Sequence, residues 1–126
     1  MTGGALSDQD GRRLGEDWVA AWNAHDLAAI MGMYAPDVIF QTPTAISSLG
    51  IPDGRIAGAG MLREHFARGL EHIPDLRFDL EQVCVGVRSI AITHRWADGT
   101  PVAELHEYDQ DTLIERVQAL YVGVSW

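Results

Sequence analysis

His94, Glu104 and His106 are the residues of this chain whose types and spacing could do acid/base chemistry. They sit where Ser89 to Ala97 and Val102 to Tyr108 alternate apolar and polar residues with period two, joined by Asp98-Gly99, a strong hairpin signal. A three-residue turn after Ala97 sets Trp96 against Val102, His94 against Glu104 and Ile92 against His106. A two-residue turn sets Thr93 against Glu104 and Arg95 against Val102. The first is preferred, because it aligns Ile90, Ile92 and Trp96 with Val102 and Tyr108 on one apolar face. It also gathers the two imidazoles and the carboxyl on that face, where ionisable groups are costly unless paired. A carboxyl in a dry pocket holds its proton more tightly, and a neighbouring imidazole can take or hold it, which is the equipment of an acid/base catalyst. The same residues also fit a satisfied structural His–Glu pair. A three-residue turn after Tyr108 brings Arg116 opposite Glu104 as a plain salt bridge, whereas a four-residue turn puts Val117 there.

The elements that must position these groups are organised around Trp18 to Pro43. Ser7 and Asp10 resemble a capping box opening a helix over about 8–24, with Leu14, Trp18, Ala21 and Trp22 on its apolar face. Asp26 caps a second helix over about 26–35 carrying Leu27, Ile30 and Tyr34, and Pro36 closes it. A strand over about 37–42 turns Val38, Phe40 and Thr42 to one side. Residues 43–57 read as a long loop of the kind that serves as a lid, and Gly60 to His72 as a third helix with Leu62, Phe66 and Leu70 in register. Leu76, Phe78, Leu80 and Gln82 alternate along a strand with one wet side, and Leu113 to Val122 forms the last strand. Helices first and hairpins after give a single α+β domain over 1–126: a curved antiparallel sheet with helices on one face. Trp18, Trp22, Phe40, Trp96 and Tyr121 read as core that can also line a ligand cavity, and Tyr34, Phe66 and Tyr108 with Thr42 complete the candidate lining. His25 reads as a helix C-terminal cap, and His65 with His72 as a surface or edge pair.

Composition narrows the function. A net charge of −9 opposes nucleic-acid binding, which draws on clustered cations. All nine cations are arginine, so no lysine exists for a Schiff base or a phosphate loop. No apolar run reaches the roughly 18 residues of a membrane span, and the first residues lack an apolar signal core, so a cytoplasmic protein is expected. Cys84 is alone and reads as a small buried hydrophobe. Three histidines and a glutamate lack metal-ligand spacing, so neither metal nor cofactor is expected.

The runs W-x-x-A-W-N-A-H-D-L-A-A-I-M-x-M-Y-A-P-D-V-I-F-Q-T-P, R-I-A-G-A-G-M-L-R-E-H-F and L-I-E-R-V-Q-A-L-Y resemble the nuclear transport factor 2-like superfamily, and within it the SnoaL-like polyketide cyclases and ketosteroid isomerases. The resemblance covers about 8–122. It implies a cystatin-like α+β cone, in which a curved antiparallel or mixed sheet and three helices of the N-terminal half enclose a deep apolar pocket, and a homodimer through the outer sheet face. The aspartate base of ketosteroid isomerases, just before the proline ending the first strand, corresponds here to Thr42, which is no carboxylate. Their oxyanion-binding tyrosine corresponds to Trp18, whose indole N–H can donate. Their protonated aspartate on the penultimate strand corresponds to Glu104, four residues before Tyr108. An epoxide-hydrolase Asp–Arg–Asp set is not assembled by Arg95, Arg116 and Asp79.

Two functions follow. One is a cofactor-independent isomerase, cyclase or lyase for a small apolar carbonyl compound, with Glu104 as acid/base, His106 and His94 assisting, and Trp18 orienting the substrate oxygen. The other is a non-catalytic apolar-ligand or dimerisation module, motivated by Thr42.

Overall fold

A computed structural model describes residues 3–122. Ser7 caps α1 (Asp8–Asn23) by accepting from the Asp10 amide at 3.0 Å, and Asp26 caps α2 (Leu27–Met31) through the Ala29 amide at 3.0 Å. The chain continues through β1 (Tyr34–Gln41), α3 (Pro43–Leu49), β2 (Arg55–Ala57), α4 (Ala59–His72), β3 (Phe78–Val85), β4 (Ser89–Trp96), β5 (Pro101–Tyr108) and β6 (Ile114–Tyr121). The six strands form one sheet in the order β2-β1-β6-β5-β4-β3. It is mixed, because β1 and β6 run parallel while every other neighbouring pair is antiparallel. Helix α1 lies along β3 and β4, α4 against β1 and β2, and α2 touches both helices. This is the expected α+β architecture, with four helices instead of three.

Close approach of α1 to β3 depends on two glycines. A Cβ at Gly11 would lie 2.5 Å from the Val85 side chain, and one at Gly15 2.6 Å from that of Val83. Asn23 fastens the end of α1 to the start of β3: its Nδ2 donates to the Phe78 carbonyl at 2.9 Å, and its Oδ1 accepts from the Phe78 amide at 2.7 Å. His25, at φ 55°, does not cap its helix but donates from Nε2 to the Leu76 carbonyl at 2.7 Å.

Three expectations about local structure are corrected. Helix α2 stops at Met31, and Tyr34 opens β1, so Pro36 lies inside an irregular stretch of strand and ends no helix. Residues 43–57 are not loop throughout: Thr42 caps α3, Pro43 occupies its first turn, where a missing N–H costs nothing, and Gly50 closes it at φ 67°. On β3 the register shifts between Leu80 and Gln82. The extra residue reverses the side-chain alternation beyond it, so Val83 and Val85 take the helix side and Cys84 and Gln82 face out. Cys84 is therefore exposed, not buried.

Candidate functional site

The loop between β4 and β5 holds four residues, Ala97 to Thr100, with Gly99 at φ 89°. Glu104 consequently pairs with Ile92, His94 with Val102, and His106 with Ile90. This register is displaced by two residues from the expected one. A slip of two leaves every side chain on its own face, so His94, Glu104 and His106 still share the helix-covered side, although His94 does not face Glu104. On β6 a shift between Glu107 and Tyr108 sends Arg116 outward to Glu107, at 3.8 Å, and places Ala119 opposite Glu104 and Val117 opposite His106. Neither expected neighbour of Glu104 on β6 is the observed one. Arg95 and Asp79 likewise pair in the open, with Glu81 and Arg77.

A cavity of about 380 Å³ lies between this face and the helices. Its apolar wall includes Trp18, Trp22, Phe40, Phe66, Trp96 and, beyond the expected set, Phe78. Glu104, 7 % exposed, reaches the cavity, while His106 is wholly buried behind it with Nε2 2.9 Å from Glu104 Oε1. Against an ionised carboxylate that nitrogen must carry the proton. The imidazole thereby fixes the carboxyl rotamer, and its Nδ1 is left buried with no hydrogen-bond partner among the described residues.

His94, Tyr34, Tyr108 and His106 do not line the cavity. His94 packs as an aromatic plate, 4.4 Å from the Phe78 ring centroid and 5.5 Å from that of Trp18, with neither ring nitrogen hydrogen-bonded among the described residues. Tyr34 accepts from Trp18 Nε1 at 3.0 Å. The indole N–H assigned to a substrate oxygen is therefore already occupied, and Trp18 lines the cavity as an apolar residue. Burial, and then the Glu104 charge, push the Tyr34 hydroxyl well above its ordinary range, so it stays protonated. Tyr121 lines the cavity beside Thr42, and burial, then Glu104, raise its hydroxyl too. Tyr108 is raised by burial.

On the opposite wall, Thr42 Oγ1 lies 3.0 Å from Thr44 Oγ1, which in turn lies 3.5 Å from His65 Nε2. His65 and His72, expected as a surface or edge pair, border the cavity at its edge with Arg68 between them, His65 half-buried and His72 exposed. Their spacing of three and four along α4 sets them on one stripe of the helix beside the inward Leu62 and Phe66, and α3 opposite makes that stripe a wall. Gly54 holds the rim of this wall: it is at φ 65°, its carbonyl accepts from the Thr42 amide at 2.9 Å, and a Cβ would collide with the Thr42 carbonyl oxygen. Among the described residues no group of three or more His, Cys, Asp or Glu is placed to hold a metal ion. Nor is any described helix long and apolar enough to cross a membrane.

Burial lowers the affinity of His94 for a proton, and the Glu104 charge only partly opposes this. The unfolded imidazole, near 6.5, therefore takes up its proton before the folded one does. His94 leaves stability intact above that value and removes it as pH falls below, by up to about 1.4 kcal/mol per pH unit. Melting temperatures at pH 7.5 and 5.5 should show this loss in the parent and a smaller one in His94→Phe. Equal losses would show that His94 is not the group responsible.

A model of the SnoaL-like domain matches residues 16–115. A SnoaL-like protein of unknown function from Burkholderia thailandensis E264 is similar at 31 % identity, covering 94 % of this chain and 99 % of its own, with a TM-score of 0.91. A protein of unknown function with a cystatin-like fold from Methylobium petroleophilum PM1 shares 17 % identity over 97 % of this chain and 82 % of its own, with a TM-score of 0.75. No protein of curated function matches.

Proposed function

The chain belongs to the SnoaL-like domain family, and from that premise we propose that it is a cofactor-independent enzyme of the isomerase, cyclase or lyase type, acting by general acid/base chemistry on a small apolar carbonyl compound. The observation that carries this reading is one carboxyl among the described residues, Glu104, presented to an aromatic cavity and held from behind by a buried imidazole. In the dry cavity Glu104 takes a proton from the carbon beside the carbonyl, and the electron pair moves to the carbonyl oxygen. The Tyr121 hydroxyl, kept protonated by burial and hydrogen-bonded to the Thr42 side chain, donates its own proton to that oxygen while accepting from Thr42. The proton then returns from Glu104 to the same carbon or, where a β,γ double bond spreads the charge, to the γ carbon as that double bond moves into conjugation, and the carbonyl re-forms, so nothing is consumed. His106 positions Glu104, and His94 supports the aromatic wall.

The test is deuterium exchange at the carbon beside the carbonyl in a panel of cyclic enolisable ketones, followed by NMR for the parent and for Glu104→Gln. Exchange that persists unchanged in the variant removes the reading. A second reading, a binding module without turnover, is favoured by Thr42. Its hydroxyl caps α3 through the Thr44 amide at 3.3 Å, where a base would otherwise stand. That reading expects ligand affinity with no exchange at all.

We further infer self-association through the outer sheet face, where Leu105 and Leu120 project into solvent, the latter 55 % exposed. Sedimentation should give a dimer for the parent and a monomer for Leu120→Arg. A monomeric parent ends that inference.

A further inference from the structure

The Glu104 reading leaves unused the cavity mouth, where the C-terminal half of α4 faces α3. His65, Arg68 and His72 project there from one face of α4, and Thr44 and Ser48 from α3. Arg68 is exposed and makes no ion pair among the described residues. Arg13, Arg55 and Arg63 likewise make no ion pair among the described residues, but none of them borders the cavity. Arg12, Arg77, Arg95 and Arg116 all sit beside carboxylates. Arg88 is held by the Gly4 and Asp109 carbonyls. Among the described residues, Arg68 alone of the arginines borders the cavity, and Glu104 is the one carboxylate that does.

We propose that the mouth binds a carboxylate, so that the ligand is an apolar carboxylic acid whose body fills the aromatic cavity and whose head is held by Arg68 with His65 and the Thr44 hydroxyl. A guanidinium can meet both oxygens of a carboxylate at once, which fixes direction as well as strength. Glu104 orders the ligand the same way, because it repels a negative head from the inner end and leaves the reacting carbon there. The Arg68 charge beside His65, after burial itself, makes that imidazole harder to protonate. A neutral His65 donates from one nitrogen only, which leaves Arg68 as the charged contact. The carbonyl end of α4 offers an anion no attraction, and the chain's net charge repels it at long range, so the attraction is local to this side chain.

The assignment rests on the cavity taking an apolar ligand, and the experiment separates the two. Octanoate, 1-octanol and octylamine are titrated at pH 8 against the parent and Arg68→Gln, with quenching of tryptophan emission as the readout, since Trp18, Trp22 and Trp96 line the cavity. The parent is expected to bind octanoate about tenfold more tightly than octanol, and octylamine least. In Arg68→Gln the octanoate-to-octanol ratio should fall to about one. If octanol binds but octanoate binds no better, or if the preference survives in Arg68→Gln, the mouth assignment is overturned and the cavity reading stands. If neither octanol nor octanoate binds, the cavity reading falls and takes the assignment with it.

Discussion

Glu104→Gln is expected to lower turnover by about 10²–10⁴-fold, the usual contribution of a positioned acid/base group. The substitution keeps the shape of the side chain, and its carbonyl oxygen can still accept from His106 Nε2, so the buried contact that holds position 104 survives. What disappears is the ability to take and return a proton. Ligand affinity and the unfolding midpoint should both stay close to the parent's, which separates a chemical loss from a structural one. Glu104→Asp supplies the control, since it retains a carboxyl one methylene short and should keep a measurable fraction of the rate. Full activity in Glu104→Gln would exclude Glu104 as the proton carrier. A loss in both variants alongside a collapse of the melting transition would make the His106–Glu104 pair structural.

Trp18→Ala is expected to cost about 3–5 kcal/mol, toward the lower end of that range. The indole is 2 % exposed, stacks on Phe78 at 5.6 Å between centroids, and meets His106 edge-on at 5.1 Å. Its removal also strips the Tyr34 hydroxyl of a hydrogen bond in a buried setting, where an unmet polar group is expensive. Trp18 borders the cavity, so part of the vacated volume merges with existing space and strands no neighbours, which sets the lower end. Against a total stability of about 5–15 kcal/mol this is a large share. Urea unfolding should show a reduced midpoint with an unchanged slope, and Trp18→Phe should fall between the two. A cost below about 1 kcal/mol would mean that the aromatic wall is not the support described above.

Much of the site was legible in periodicity. The face shared by His94, Glu104 and His106 follows from alternation within each strand, and a register error of two residues does not disturb it. The partners across the ladder were not legible, because they depend on the length of the Asp98-Gly99 loop and on the extra residues in β3 and β6, which local propensity does not specify. Helix α3 was readable from Thr42 and Pro43 but was masked by the glycine and proline cluster that follows at 50–54. His65 and His72 share a helix face with cavity residues, yet no spacing along α4 could say that α3 would stand opposite and turn that face into a wall.

By itself the sequence determined the α+β class, the helix and strand faces and the aromatic supply for a cavity, since these arise from interactions between residues a few positions apart. Only the tertiary structure decided that Trp18 gives its N–H to Tyr34, that Glu104 alone of the three candidate groups reaches the cavity, and that Arg68 stands at its mouth. Those outcomes depend on which distant side chains compete for the same hydrogen bonds and the same volume, and that competition exists only once the sheet has curled against its helices.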